Sequence, residues 1–187
     1  MDSLGQNPLV SVVVPTYNRA ASERQAVESV VAQRYSPLEC SVVDDGAEDD
    51  TAALLRPMAE SGRLRLISQP NRGVSAARNT GIMASKGALI AFLDSDDEWL
   101  PGKVEAQVDY FRRNPEAVLV QTQERWMRQG RRVNPGRKHL KKAGDIFLDS
   151  LKLCLISPSA VMLKKSLLDE VGLFDENLPA CEDYDLW

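Results

Sequence analysis

The chain has 187 residues, enough for one ordinary domain with its own core, and it is 43% hydrophobic and 27% charged, as folded soluble proteins are. Its formal net charge of −4 argues against a general nucleic-acid binder, which is usually basic. No segment approaches the roughly 20 apolar residues of a membrane span, residues 1–8 lack the basic start and apolar core of a secretion signal, and Cys40, Cys154 and Cys181 are odd in number and without metal or redox spacing; these features point to the cytoplasm, with free thiols used for packing.

Residues 10–14 are a β-branched apolar run closed by Pro15 and read as a buried strand. Ala26, Val27, Val30 and Val31 follow at helical spacing. Residues 39–43 read as a second strand, ended by Asp44, Asp45 and Gly46; 51–60 as a helix; 63–68 as a short strand. Residues 74–85 are helical in pattern, with Gly87 as a stop. Residues 88–93 form another apolar run, broken by Asp94, Ser95, Asp96 and Asp97. Pro101 is placed to open a helix carrying Val104, Val108 and Phe111, and 117–122 is the next strand. This alternation predicts an α/β fold, a mainly parallel sheet with helices on both faces and a ligand crevice beyond the carboxyl ends of its strands.

The second half is less regular. Residues 129–142 read as a long basic loop, and 124–142 hold eight Lys or Arg against one acidic residue. That stretch is either a solvated loop or a surface for an acidic acceptor, a diphospholipid or an anionic membrane, which would put the protein at the inner face of the membrane. The single histidine, His139, has no second ligand candidate nearby and reads as an exposed loop residue. Residues 145–153 read as a helix, 159–163 as a strand and 165–171 as a short helix. The chain ends on Glu182, Asp183, Tyr184, Asp185, Leu186 and Trp187, which look like the first turns of a helix with acids at its positive end. The expectation is a single domain over 1–187, with a regular part at about 9–122 and a less regular part at about 123–187 that is incomplete.

The chemistry-bearing residues sit where strands end. Asp94 and Asp96, one residue apart after a buried strand, can share a divalent cation that neutralises a diphosphate leaving group; alone, they equally read as a turn that caps the next helix. Asp44 and Asp45 can accept hydrogen bonds from a base or ribose, or simply make a turn. Pro15, Thr16, Tyr17 and Asn18 offer a rigid turn, a hydroxyl, an aromatic face and an amide for one wall of a base pocket. Arg72 and Arg78 suit phosphate, or lie on a solvated helix face. Glu182 and Asp183 can take a proton from an acceptor hydroxyl, or are acid enrichment of a first helical turn. Glycine-rich phosphate loops are excluded: no Gly-x-Gly-x-x-Gly follows the first strand, and no Gly-x-x-x-x-Gly-Lys occurs.

In order and spacing these segments are more specific than any one of them. Val-Ser-Val-Val-Val-Pro-Thr-Tyr-Asn-Arg from Val10 to Arg19 resembles the opening of family 2 inverting glycosyltransferases. Val-Val-Asp-Asp-Gly ending at Gly46, then Asp50 and Thr51, resembles their second motif. Asn-Arg-Gly-Val-Ser-Ala-Ala-Arg-Asn ending at Asn79 resembles the third, Phe-Leu-Asp-Ser-Asp-Asp ending at Asp97 the metal motif, and Glu182 with Asp183 the late acidic pair. The resemblance covers about residues 9–187. It implies a GT-A, Rossmann-like fold, a UDP-, GDP- or TDP-linked sugar donor, a saccharide or lipid-linked acceptor in surface polysaccharide or glycolipid synthesis, a divalent metal (Mn or Mg), and inversion by direct displacement. It also implies roles. Pro15, Thr16 and Tyr17, with Asn18 and Arg19, line the nucleotide pocket, and Asp45, with Asp44, meets the base. Arg78, Asp94 and Ser95 serve the nucleotide-sugar, Asp94 and Asp96 the metal, and Asp183, with Glu182 beside it, is the general base. Ala47 and Glu48 depart from the usual Ser-Thr of the second motif. Two rivals remain: a sugar nucleotidyltransferase, disfavoured because Pro-Thr-Tyr-Asn stands where a glycine-rich basic loop is expected, and a fragment that holds nucleotide-sugar without transferring it.

Overall fold

The computed structural model describes residues 4–134 and 136–187. Met1 to Ser3, part of the segment read for a secretion signal, and Pro135 of the expected basic loop lie outside the described residues.

The first half alternates as its sequence pattern requires: β1 (Val10–Thr16), α1 (Ala20–Val31), β2 (Leu38–Asp44), α2 (Thr51–Glu60), β3 (Arg65–Ser68), α3 (Val74–Ala84), β4 (Leu89–Phe92), α4 (Lys103–Arg113) and β5 (Leu119–Gln121). The remainder comprises β6 (Trp126–Arg128), β7 (Arg131–Val133), α5 (Phe147–Ser150), β8 (Val161–Lys164), α6 (Lys165–Val171) and α7 (Glu182–Leu186). The main sheet runs β3-β2-β1-β4-β8-β5. β1 to β4 are parallel, and β8 is inserted antiparallel between β4 and β5.

β1 is a continuous apolar run because both its faces are covered; all seven of its residues are buried. Val10, Val12 and Val14 pack with Val27 and Val30 of α1, Leu55 of α2 and Val104, Val108 and Phe111 of α4. Val13, pointing the other way, joins Ile82 of α3, Leu168 of α6 and Ile90, Phe92 and Phe174. Helices therefore cover both faces, the fold class expected. α3 lies flush on β1 at Gly81, where a Cβ would sit 2.3 Å from Val13 Cγ1.

Four expectations change. The basic stretch is not a plain loop: β6 and β7 form a hairpin, turned by Gln129 and Gly130 at φ 48° and 70°. Two successive positive φ angles match the right-handed twist of paired strands. The helix expected over 145–153 is only the four residues of α5, because Phe147, Leu148 and Leu151 are exposed and an isolated short helix gains little without packing. Pro101 does not open α4; that helix starts at Lys103 after Gly102 at φ 89°. Of the cysteines read as packing residues, Cys40 is buried, whereas Cys154 and Cys181 are exposed free thiols. Among the described residues no helix is long and apolar enough to cross a membrane.

Candidate active site

The register aligns the carboxyl ends of the central strands: Thr16 stands opposite Asp44, and Phe92 opposite Val13. The chain passes from β1 to one side and returns through α3 to β4 on the other, so the crevice lies at a topological switch point. A cleft of about 480 Å³ opens there, lined by Pro15, Thr16, Tyr17, Arg19, Asp45, Arg78, Asp94, Ser95 and Asp96 among the expected residues. Asn71, Gly73, Val74 and Ala77, at the start of α3, complete its wall.

Asn18 and Asp44 do not line the cleft. Asn18, at φ 50°, accepts a hydrogen bond on Oδ1 from the Glu48 N–H at 2.8 Å and so ties the loop after β1 to the loop after β2. Asp44 is buried and accepts from the Ala47 N–H at 2.8 Å, shaping its own turn. Asp45, also buried, points the other way. Its Oδ1 accepts from Gln69 Nε2 at 2.7 Å and the Arg72 N–H at 3.0 Å, and its Oδ2 from the Gly73 N–H at 2.8 Å. That carboxylate thus fixes the loop opening α3, and one of its roughly four lone-pair sites is left for a ligand. Gly46 is required beside it: φ is +79°, and a Cβ would lie 2.8 Å from the Asn71 nitrogen.

Arg78 is 4% exposed and bridges two acids. Its Nη2 donates to Asp94 Oδ1 at 2.8 Å and its Nη1 to Glu182 Oε1 at 2.6 Å. The guanidinium carbon lies 5.3 Å from the centre of the Phe174 ring, while Nε has no partner. Arg78, expected to serve the nucleotide-sugar, lines the cleft and directs its fork at two carboxylates, joining Glu182 to the Asp-x-Asp turn. Asp183, next in the chain, accepts on Oδ2 from Cys154 Sγ at 3.7 Å; no cation pairs with it among the described residues. Partial desolvation raises the Cys154 thiol pKa, and Asp183 adds to the shift.

The Asp-x-Asp turn is held from below. The Asp94 N–H donates to Ser159 Oγ at 3.0 Å, and Trp99 Nε1 to the Ser159 carbonyl at 2.8 Å. Burial raises the Asp97 carboxyl above its ordinary value; Ser159 opposes the shift, and Asp94 and Asp96 add to it. Asp96 is half exposed towards the cleft, with Arg19 Nη2 3.8 Å from its Oδ2, a loose pair worth little in solvent. No cluster of three or more His, Cys, Asp or Glu able to hold a metal occurs among the described residues. What stands here is a carboxylate pair open to ligand oxygens, the donor type that Mg²⁺ and Mn²⁺ accept when substrate phosphates complete the shell.

Three site-building residues escaped the sequence reading. Gln69 orients Asp45. Asn79, buried at 3% exposure, accepts from the Phe174 N–H at 3.0 Å and donates to the Phe174 carbonyl at 2.9 Å and Glu176 Oε1 at 3.0 Å. Phe174 itself packs edge-on against Phe92 and Trp187. Only Asn79, inside the third motif, carried a sequence signal.

Residues 11–172 match Glycosyl transferase family 2. The chain belongs to this family. An uncharacterized glycosyltransferase of Rickettsia prowazekii is 32% identical over 97% of the chain and 58% of its own length, so the chain spans less than two thirds of that relative. An Escherichia coli protein named as a UDP-Glc:alpha-D-GlcNAc-diphosphoundecaprenol beta-1,3-glucosyltransferase is 31% identical over 96% of the chain and 68% of its own length. The solved mannosyltransferase of Pyrobaculum calidifontis, in complex with GDP-Man and Mn²⁺, superposes with a TM-score of 0.73 at 22% identity, covering 98% of the chain and 52% of that structure. The fold of this family 2 chain is that of the GT-A glycosyltransferases. With the family assigned, the nucleotidyltransferase alternative falls.

Proposed function

We propose that the chain is the catalytic core of an inverting, metal-assisted glycosyltransferase that moves a sugar from a nucleotide-diphosphate donor to a hydroxyl on a saccharide or lipid-linked acceptor. One contact carries this proposal: Arg78 couples Asp94 to Glu182, bringing the late acidic pair beside the Asp-x-Asp turn at the cleft. The nucleotide half is about 9–122 and the acceptor half about 123–187. The named activity of the Escherichia coli relative supports a lipid-diphosphate acceptor and a uridine donor, and the Pyrobaculum complex a guanosine one. Exposed free thiols at Cys154 and Cys181 suit a reducing cytoplasm.

Tyr17 stacks on the base, Pro15 and Thr16 shape that wall, and Asp45 offers its remaining lone pair to the base. Asp94 and Ser95 face the ribose and sugar. Asp96, with Asp94, would hold Mn²⁺ or Mg²⁺, which when bound would supply positive charge to the diphosphate. Arg19 adds a cation beside Asp96 for the departing nucleotide. The acceptor hydroxyl attacks the anomeric carbon from the face opposite the diphosphate; its oxygen–carbon bond forms as the bond to the diphosphate breaks. Asp183 takes the hydroxyl proton. It fits that task better than Glu182, because Glu182 Oε1 is already engaged by Arg78 Nη1 at 2.6 Å.

Turnover of Asp183→Asn and Glu182→Gln, alongside nucleotide affinity, tests this. Loss of a positioned base costs about 10²–10⁴ in turnover. The expected result is that loss in Asp183→Asn with nucleotide affinity kept. Full activity of Asp183→Asn would remove Asp183 from the mechanism.

A further inference from the structure

Residues 124–142 concentrate eight of the chain's 23 cations in a protein of net charge −4, so the rest of the chain is strongly acidic. Arg125, Arg128, Arg131, Arg132, Arg137 and Lys138 are exposed. Among the described residues none of these six lies within salt-bridge reach of a carboxylate; only Lys141 and Lys142 are paired, with Glu124 and Asp149.

Large apolar side chains are exposed in the same stretch: Met127 at 61%, Leu140 at 53%, Phe147 at 66% and Leu148 at 71%, with Trp126 and Leu151 beside them. The parts are tied into one surface. Trp126 packs on His139 with ring centres 4.9 Å apart, Gln123 bonds the Lys141 backbone on both sides of its amide, and Lys142 Nζ reaches Asp149 of α5 at 2.5 Å. An isolated two-stranded hairpin is marginal in water, and every residue of β6 is exposed.

A polyanionic saccharide would satisfy the cations but offers nothing to Met127, Phe147 and Leu148. The headgroup layer of an anionic bilayer takes both: phosphates for Arg and Lys, and the acyl boundary for the apolar side chains. Position agrees. β5 runs in the same direction as β4, since both are antiparallel to β8, so residue 122 leaves from the sheet edge that holds the cleft. The arm returns beside it, where Lys141 Nζ donates to Ser157 Oγ at 2.6 Å, two residues before Ser159.

We propose that residues 125–134 and 136–151 are a docking surface for an anionic phospholipid bilayer, which brings the cleft to the membrane where the lipid-linked acceptor of the proposed function resides. The surface lies outside the catalytic residues, so docking and transfer can fail separately.

The test is co-sedimentation of the full chain with vesicles of phosphatidylcholine and phosphatidylglycerol in equal parts, and with phosphatidylcholine alone. Each Lys or Arg at such a surface contributes about fivefold in partition. The triple variant Arg131→Ala, Arg132→Ala, Lys138→Ala is therefore expected to lose about a hundredfold. The double variant Phe147→Ser, Leu148→Ser is expected to weaken binding to the same vesicles. Both are expected to keep the circular dichroism and nucleotide affinity of the parent chain. Equal binding to both vesicle types, no binding to either, or unchanged partition of the triple variant would overturn the proposal. Binding to heparin without binding to vesicles would also overturn it, and would assign the surface to an acidic saccharide.

Discussion

Arg78 Nη1 donates to Glu182 Oε1 at 2.6 Å, joining α3 to a residue 104 positions later in the chain. The same guanidinium holds Asp94. Through this one side chain α3, the Asp-x-Asp turn and α7 share a single electrostatic centre, while Asp183, the next residue, has no cation partner among the described residues.

Removing Arg78 leaves two carboxylates facing each other in a partly closed site. Loss of one partner from a buried pair costs about 3–5 kcal/mol, and the partial exposure of Asp94 places Arg78→Met near the lower end. Urea denaturation is expected to show the unfolding free energy lowered by that amount, read as a lower midpoint with an unchanged slope. A stability within about 0.5 kcal/mol of the parent, the ordinary range of a surface substitution, would show that the bridge is not formed in solution.

Glu23 of α1 is 1% exposed and its carboxylate makes no well-formed hydrogen bond. Desolvation raises its pKa from 4.5 to about 7, with the adjacent Thr16 hydroxyl opposing the shift and Asp44 adding to it. Below pH 4.5 the group is protonated whether the chain is folded or not. Between there and about 7 the unfolded chain releases a proton that the folded chain keeps, so stability falls with rising pH, by about 3 kcal/mol in all, and levels off above. Glu23→Gln is expected to flatten that slope in thermal melts across pH 4 to 8; an unaltered slope would show that Glu23 is not buried uncharged.

Tyr17 is 45% exposed on the cleft wall. Base stacking on an aromatic ring is worth about 1–3 kcal/mol. Tyr17→Ala is expected to weaken nucleotide binding about tenfold and Tyr17→Phe to restore it. If Ala and Phe bind alike, the base does not stack there.

The flush packing of α3 on β1 is testable in the same way. Gly81→Ala drives a methyl to 2.3 Å from Val13 Cγ1, and overpacking of this kind costs about 1–3 kcal/mol. A lowered melting temperature is expected; a gain in stability would mean that α3 stands off the sheet.

The parallel half was legible because local pattern dictates it. The run from Val10 is buried on both faces, and α2 keeps the bounds 51–60 read from the sequence. Pro15, Thr16, Tyr17 and Arg19 at the carboxyl end of β1 and Asp94, Ser95 and Asp96 after β4 reach the cleft, and Asn18 does not. Adjacent Asp44 and Asp45 were not separable by type; strand alternation sends them to opposite sides, and only Asp45 reaches it. The insertion of β8 between β4 and β5 was also hidden, since strand pairing is non-local. So was Phe174, a single aromatic with no period around it, placed by its bonds to Asn79. Gln129 masked the hairpin, because a non-glycine residue at φ 48° advertises no turn.

The most direct measurement is calorimetric titration of the chain with UDP, GDP and TDP, each with and without Mn²⁺, repeated on Asp96→Ala. Binding of one nucleotide that requires the metal, and that Asp96→Ala abolishes, is the result expected of a metal-assisted nucleotide cleft. Equal affinity with and without metal, unchanged by Asp96→Ala, would contradict it.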